Sequence, residues 1–245
     1  MRLLAKSLYG LYAVVLFICV GLLAVLILAL LPDLTQRRRL ASSASLAFLR
    51  LAGMPLTVEG LARLPAGPCI LVANHCSYLD GLVFTAALPP RFAFVIKREM
   101  ASVPLAGFLL NRIGSQFMAR DQAGQTIQDA RRVMRSAERG QSLMFFPEGT
   151  FTEEPGLLKF HLGAFATAQR AGCPVVPAVI HGTRVALSPR GGLPHPVPLR
   201  IEILEPVMPA PLHSGEAVAA LCREARDAIL AKLQEPDLET PNESQ

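Results

Sequence analysis

The residues with the clearest capacity for chemistry are His75 and Asp80, in Asn74-His75-Cys76-Ser77-Tyr78-Leu79-Asp80. An apolar run, Cys69-Ile70-Leu71-Val72-Ala73, leads straight into them. Ser77 stands three residues ahead of Asp80, the spacing of a capping box, and so marks a helix start. A strand-to-helix turn presents backbone N–H groups and the positive end of the helix dipole, which suits a general base and a developing oxyanion. On one continuous helix five positions rotate about 500°, so the two side chains would not share a face. With His75 in the turn and Asp80 in the first helical turn, the chain folds back and brings them into contact. Asp80 then accepts from one imidazole nitrogen, sets the tautomer and leaves the other nitrogen to take a proton. Spacing alone also allows a plainer reading, with Asp80 as a cap and His75 as a satisfied loop histidine.

Other reactive side chains do not compete with this pair. Cys76 adjoins the histidine, but no second histidine stands near it to make it a covalent nucleophile. Cys19, Cys69, Cys76, Cys173 and Cys222 are scattered and odd in number, which suits reduced thiols in a cytoplasmic setting rather than a disulfide framework. His161, His181, His195 and His213 lie far apart without metal-ligand spacing, and no metal or cofactor is expected.

The elements that must position the pair follow from hydropathy. The chain has 245 residues, 51% of them hydrophobic, and the excess is concentrated near the beginning. From Ser7 to Pro32 there is no charged residue, and a helix of that length, roughly 39 Å, can cross a hydrocarbon core about 30 Å thick. A secretory signal has a shorter apolar core and a small-residue cleavage site, and Leu30-Leu31-Pro32-Asp33 is a poor one. Arg37, Arg38, Arg39 and Arg50 after the run outweigh Arg2 and Lys6 before it, which places the main domain on the cytoplasmic side. A helix dipping into one leaflet satisfies the same pattern. The segment from Arg39 to Gly53 reads either as a second helix at the membrane surface or as an amphipathic helix packed on the domain. A net charge of +5 suits an anionic membrane surface or a phosphorylated substrate. No nucleic-acid module is present, and nucleic acid is not an expected partner.

Beyond Pro55 short apolar runs alternate with helical periodicity. Strands are predicted at Leu56–Glu59, Cys69–Ala73, Phe92–Ile96, Ser115–Met118, Ser142–Phe146, Val175–Ile180 and Leu199–Leu204. Helices are predicted at Gln122–Arg139, Leu162–Ala171 and Glu216–Leu233. The alternation implies an α/β fold with a mixed, largely covered β-sheet flanked by helices, behind an N-terminal membrane helix.

Four blocks occur in the order found in the glycerophospholipid acyltransferase family, which includes 1-acyl-sn-glycerol-3-phosphate acyltransferases. Asn74–Asp80 resembles its His-x-x-x-x-Asp motif and Gly114–Arg120 its Gly-x-x-Phe-x-x-Arg block. Phe146-Pro147-Glu148-Gly149-Thr150 and the proline-containing strand Val175–Val179 resemble the third and fourth. The resemblance covers roughly Leu51 to Pro209. With the hydropathy and the polar composition after Glu235, it gives the organisation 1–33 transmembrane or membrane-embedded helix, 34–54 interfacial helix or linker, 55–234 acyltransferase domain and 235–245 disordered tail. It also implies that His75 is the general base, Asp80 its orienting partner and Arg120 the phosphate ligand of the acceptor, with Lys97 adding positive potential. Glu148, Gly149 and Thr150 would organise the basic groups or bind the acceptor's glycerol part. The donor would be acyl-CoA or acyl-carrier protein and the acceptor a lysophospholipid in the membrane, most simply lysophosphatidic acid giving phosphatidic acid. Members acting on that acceptor commonly carry arginine directly after Glu-Gly-Thr, where this chain has Phe151. An aromatic ring cannot neutralise phosphate, so a lyso-aminolipid acceptor is the alternative. A catalytically silent membrane lipid-binding protein would be free to lose His75 or Asp80. A lipid hydrolase would use water, and the Gly-x-Ser-x-Gly elbow is missing.

Overall fold

The computed structural model describes residues 2–119, 123–211 and 214–239. Seven strands form one sheet: β1 (Leu56–Glu59), β2 (Ile70–Ala73), β3 (Phe92–Lys97), β4 (Gln116–Met118), β5 (Ser142–Phe145), β6 (Val175–His181) and β7 (Leu199–Ile203). Their order is β1-β7-β6-β2-β5-β3-β4, with β2 at the centre. The block from β6 to β4 is parallel, whereas β7 pairs antiparallel to β6 and carries β1 parallel to itself. The sheet is therefore mixed, as the alternation of elements predicts, and each strand lies within one or two residues of its predicted bounds.

The central strands are apolar on both faces because both faces are covered. On one face Ile70, Val72, Leu143, Phe145, Val175 and Val179 pack under α5 (Ala123–Glu138), α6 (Gly163–Ala171) and α8 (Gly215–Leu233). On the other, Leu71, Ala73, Met144, Val176 and Ile180 meet α2 (Leu34–Leu51) and α3 (Asp80–Ala87). The predicted glycine stop of α6 is real: Gly172 takes φ +61°, a left-handed cap that costs glycine least.

The helix α1 (Arg2–Leu30) contains a stretch, Leu4–Leu30, with mean hydropathy 3.3, long and apolar enough to cross a membrane. One side of it lies antiparallel on α2. Tyr9 Oη donates to the Ala52 carbonyl at 2.6 Å, Phe17 meets Phe48 edge to face, and Leu28 is buried with Ala41 and Ile113. The opposite side leaves Leu8, Leu11, Val15, Ile18, Leu22 and Leu26 bare along the whole helix. So large an apolar stripe is unfavourable in water and marks the surface that enters a membrane.

Helix α2 starts at Leu34, five residues ahead of the predicted segment, because Asp33 caps it by accepting the Gln36 N–H at 2.8 Å. Its Phe48 and Leu49 are buried against the sheet, so α2 is packed on the domain rather than lying free at an interface. Two of the three consecutive arginines are structural. Arg37 donates to the carbonyls of Leu31 and Pro32, Arg112 to those of Leu28 and Ala29, and Arg38 to that of Ile113. Guanidinium groups thus close the C-terminal end of α1, where the helix dipole is negative.

Helix α3 begins at Asp80, where a helix start is expected, but two further helices were not predicted: α4 (Ala106–Arg112) and α7 (Thr183–Ala186). Both are seven residues or shorter, too short to display a periodic pattern. The segment after α8 also departs from the predicted disorder: residues 235–239 are bonded to the domain, with Arg226 gripping the Asp237 carboxylate and Leu238 N donating to the Leu157 carbonyl at 3.0 Å. Composition made that segment look disordered because its contacts are to distant backbone and cannot be seen locally. Residues 240–245 lie outside the described residues.

Candidate active site

The carboxyl end of β2 places His75 and Asp80 together. Asn74, buried at the strand end, accepts the Ile180 N–H at 2.8 Å and donates to the Ile180 carbonyl at 3.1 Å. This two-way contact ties the exit of β2 to β6. The chain then turns, and α3 begins at Asp80. Asp80 is completely buried, and its Oδ2 lies 2.7 Å from His75 Nδ1. The same oxygen accepts the N–H groups of Cys76 at 2.7 Å and Ser77 at 2.9 Å. Ser77 Oγ in turn accepts from Leu79 N at 3.2 Å, so the predicted capping spacing is used, though with the carboxylate reaching back over two amides.

A carboxylate can only accept, so Nδ1 carries the proton and Nε2 is the nitrogen with a lone pair to offer. The imidazole is about one-fifth exposed. Its face stacks on Phe146 at 4.2 Å between ring centroids, and Phe151 meets its edge at 4.5 Å. Phe151 also touches the exposed ring of Tyr78 at 4.8 Å. The candidate base therefore sits in a half-open aromatic pocket, its imidazole flanked by two rings and partly open to solvent.

One expectation fails. The turn was to offer amides to an oxyanion, yet those of His75, Cys76, Ser77, Leu79 and Asp80 are all committed within the protein. They go to Glu148, to Asp80, to Ser77 Oγ and to the Ser77 carbonyl. Buried donors find internal partners when a carboxylate lies close, and Asp80 is that partner.

Glu148 also differs from its expected place. The resemblance implies that it organises basic groups or touches the acceptor, but it is buried, and its two oxygens accept the N–H groups of His75 at 2.6 Å and Leu158 at 2.9 Å. It braces the histidine backbone against the loop after β5. Gly149 beside it takes φ +75°, a conformation a side chain would strain, and Thr150 is exposed. Burial pushes the Glu148 carboxyl up to about 7; the Asp80 charge adds to this, while the two amides and Arg184 oppose it. A raised carboxyl stabilises the fold below its ordinary value near 4.5, and this contribution is lost as pH rises through about 7. Glu148→Gln should therefore gain on the wild type across that window, by up to about 3 kcal/mol, and the difference should level off above it. Melting temperatures of both proteins in detergent from pH 4.5 to 8.5 measure this, and parallel curves would contradict the shift.

The other predicted residues are dispersed. Lys97 ends β3 on the same edge of the sheet, two strands from His75; it is exposed, and its Nζ is 3.8 Å from Glu99. Arg98 is turned to Asp129, which also accepts from Ala119 N and pairs with Arg132. Arg120 lies outside the described residues, as does His213. Cys76 is buried, with Sγ 3.1 Å from Thr183 Oγ1. Burial, then the neighbouring Asp80 charge, pushes its thiol far up, so it is no thiolate nucleophile. Among the described residues no cluster of His, Cys, Asp or Glu could hold a metal. Sequence reasoning missed Asn74 as a strand tie, the ring of Phe146 and the guanidinium of Arg184. Of these Asn74 and Phe146 stand inside the motif blocks without being given a role, and Arg184 lies outside them.

A histidine oriented by a buried carboxylate, in an aromatic pocket at the end of a central strand, is an arrangement for taking a proton from a bound hydroxyl. Comparison with known proteins agrees with that class. A family model described as acyltransferase matches residues 55–181, and the chain belongs to that family. It is 28% identical to the 1-acyl-sn-glycerol-3-phosphate acyltransferase of Saccharomyces cerevisiae over 186 residues, 75% of this chain and 61% of the yeast protein. It is 36% identical to the lyso-ornithine lipid O-acyltransferase of Pseudomonas aeruginosa over 129 residues, 53% of this chain and 49% of that protein. The chain thus spans about half to three-fifths of the length of these relatives. In fold it is similar to the crystal structure of the 1-acyl-sn-glycerophosphate acyltransferase PlsC from Thermotoga maritima. The TM-score is 0.74 over 95% of each chain, at 24% identity.

Proposed function

We propose that this protein transfers a fatty acyl group from a thioester, acyl-CoA or acyl-carrier protein, to the free hydroxyl of a lysophospholipid, with lysophosphatidic acid giving phosphatidic acid as the leading case. The observation that carries this reading is the 2.7 Å contact between His75 Nδ1 and Asp80 Oδ2 in a half-open aromatic pocket. His75 Nε2 takes the acceptor's hydroxyl proton while the freed oxygen attacks the thioester carbonyl. The C–S bond breaks, and the departing thiolate recovers the proton from the imidazolium. The Asp80 charge stabilises that imidazolium, and general-base help of this kind is worth about 10²–10⁴-fold.

Glu148 holds the histidine backbone in register, and Gly149 lets the acceptor come close to the main chain beside Thr150. Arg120 and Lys97 supply positive charge for the acceptor's phosphate. Arg120→Ala should raise KM for lysophosphatidic acid by about 10- to 100-fold, the worth of a charged hydrogen bond. KM for a phosphate-free acceptor should hardly change; an equal rise for both would remove Arg120 from phosphate binding.

A second acceptor class is favoured by Phe151, whose ring lies against His75 where a cation would serve a phosphate. The similarity to a lyso-ornithine lipid acyltransferase points the same way, towards a lyso-aminolipid. Purified protein, labelled acyl-CoA and a panel of lyso-lipids, with products read by mass spectrometry, decide between the two. A water-only control detects hydrolysis, and no product with any acceptor would overturn the proposal.

The catalytic domain works at the cytoplasmic face, with α1 embedding its apolar side. Because its other side stays on α2 along most of its length, the packing supports burial in one leaflet more than a perpendicular span.

A further inference from the structure

The loop between β5 and α6 carries Phe151 to the imidazole, yet residues 152–155 are exposed and bury no apolar anchor. Between the Phe151 ring and the buried Leu157 this stretch is held by polar contacts: an exposed ion pair of Glu153 with Arg190, and a set that converges on two less exposed charged residues from elsewhere in the chain. Arg184, in the short helix after β6, donates through Nη1 to the carbonyls of Thr152 at 2.6 Å and Glu154 at 3.3 Å. Thr152 is the residue directly after Phe151. The other arm of the guanidinium lies 3.2 Å from Glu235 Oε2. That same oxygen accepts the Gly156 N–H at 2.7 Å.

The segment holding Glu235 is itself secured. Leu157 N donates to the Pro236 carbonyl at 2.9 Å, and Leu238 N to the Leu157 carbonyl at 3.0 Å. Arg226 of α8 grips Asp237 and lies 3.1 Å from Glu239. Gly156 is overlaid so closely that a Cβ there would fall 2.5 Å from the Leu238 side chain. Arg184 and Glu235 are only 16% and 26% exposed, so their attraction is less screened than that of a surface pair.

We infer that Arg184 and Glu235 are positioning residues: their ion pair straps the loop so that Phe151 stays against the His75 imidazole and closes one wall of the acceptor site. This rests on the acyl-transfer reading given above. Once the pair is released, Thr152 and Phe151 are free to leave the base, and a displacement of about 1 Å between reacting groups can cost about 10²-fold in rate.

The test uses the full chain and five proteins: wild type, Arg184→Ala, Glu235→Ala, Glu235→Gln and the double variant Arg184→Ala/Glu235→Ala. Steady-state transfer from acyl-CoA to the best lyso-lipid is measured beside hydrogen exchange and melting temperature. Glu235→Ala should lower kcat/KM for the acceptor about 10- to 100-fold, with the donor KM unchanged. Glu235→Gln should fall between, since its amide oxygen still accepts the Gly156 N–H while the charge is lost. The double variant should be no worse than a single one, as expected when two residues act through one contact. Exchange should quicken in residues 150–158 and stay constant in the sheet.

Activity that falls only in step with the folded fraction, losses that simply add, or unchanged exchange in the loop would each overturn the strap. If the wild type transfers no acyl group, the enzymatic reading fails by itself. Loop exchange in Glu235→Ala still reports then whether the pair holds the segment.

Discussion

His75→Ala should lower kcat for acyl transfer by roughly 10²–10⁴-fold while leaving the protein folded and membrane-bound. The effect is large because His75 holds the one imidazole joined to a buried carboxylate among the described residues. The fold tolerates the loss because the brace at this position is the backbone N–H to Glu148, 2.6 Å long, which alanine keeps. What disappears is the ring and its stacking on Phe146. Single-turnover rates with labelled donor, beside the melting temperature, separate the two contributions. Turnover near the wild-type value would exclude the general-base role.

Asp80→Asn should come close in size, and it divides the two duties of that carboxylate. All three hydrogen bonds within 3 Å fall on Oδ2: from His75 Nδ1, Cys76 N and Ser77 N. The amide oxygen of asparagine can occupy that place and keep the turn folded, with its NH₂ towards Cys76 Sγ, which lies 3.9 Å from Oδ1. The charge that favours an imidazolium is nevertheless gone, so kcat should drop by about 10²–10⁴-fold with little change in melting temperature. Asp80→Ala should instead also destabilise the fold, because it strands two buried backbone donors at about 1–3 kcal/mol each. Comparing the two variants by kcat and by thermal unfolding is the check. An asparagine variant as active as the wild type would reduce Asp80 to a turn brace.

The contact beneath both expectations was readable from spacing plus one geometric condition, that the chain turns before the helix begins. Ser77, three residues ahead of Asp80, pointed to that turn, but spacing alone left open Asp80 as a cap and His75 as a loop histidine, and the resemblance to the His-x-x-x-x-Asp motif favoured the contact. The oxyanion expectation drew on the same segment and failed for a reason equally local: the carboxylate that orients the base also consumes the amides beside it. Glu148 was picked out as a motif residue, but whether it faces substrate or backbone depends on which amides the folded chain brings to it. Those belong to His75 and Leu158, on different segments. The arginines after α1 show the same limit. As a run of charge they counted towards orientation, yet Arg37 and Arg38 spend their donors on backbone carbonyls, two of them in the 112–113 segment.

By itself, the sequence determined the strand runs, the apolar α1 stretch and the meeting of His75 with Asp80. Each of these depends on hydropathy period or on neighbours a few residues apart, and such forces act before the chain has a tertiary shape. Only the folded structure decided that Phe151 walls the imidazole, that Glu148 braces it, and that Glu235 reaches Arg184 across 51 residues of chain. Those contacts join groups at least 51 residues apart in the chain, so no local window of residues contains both partners.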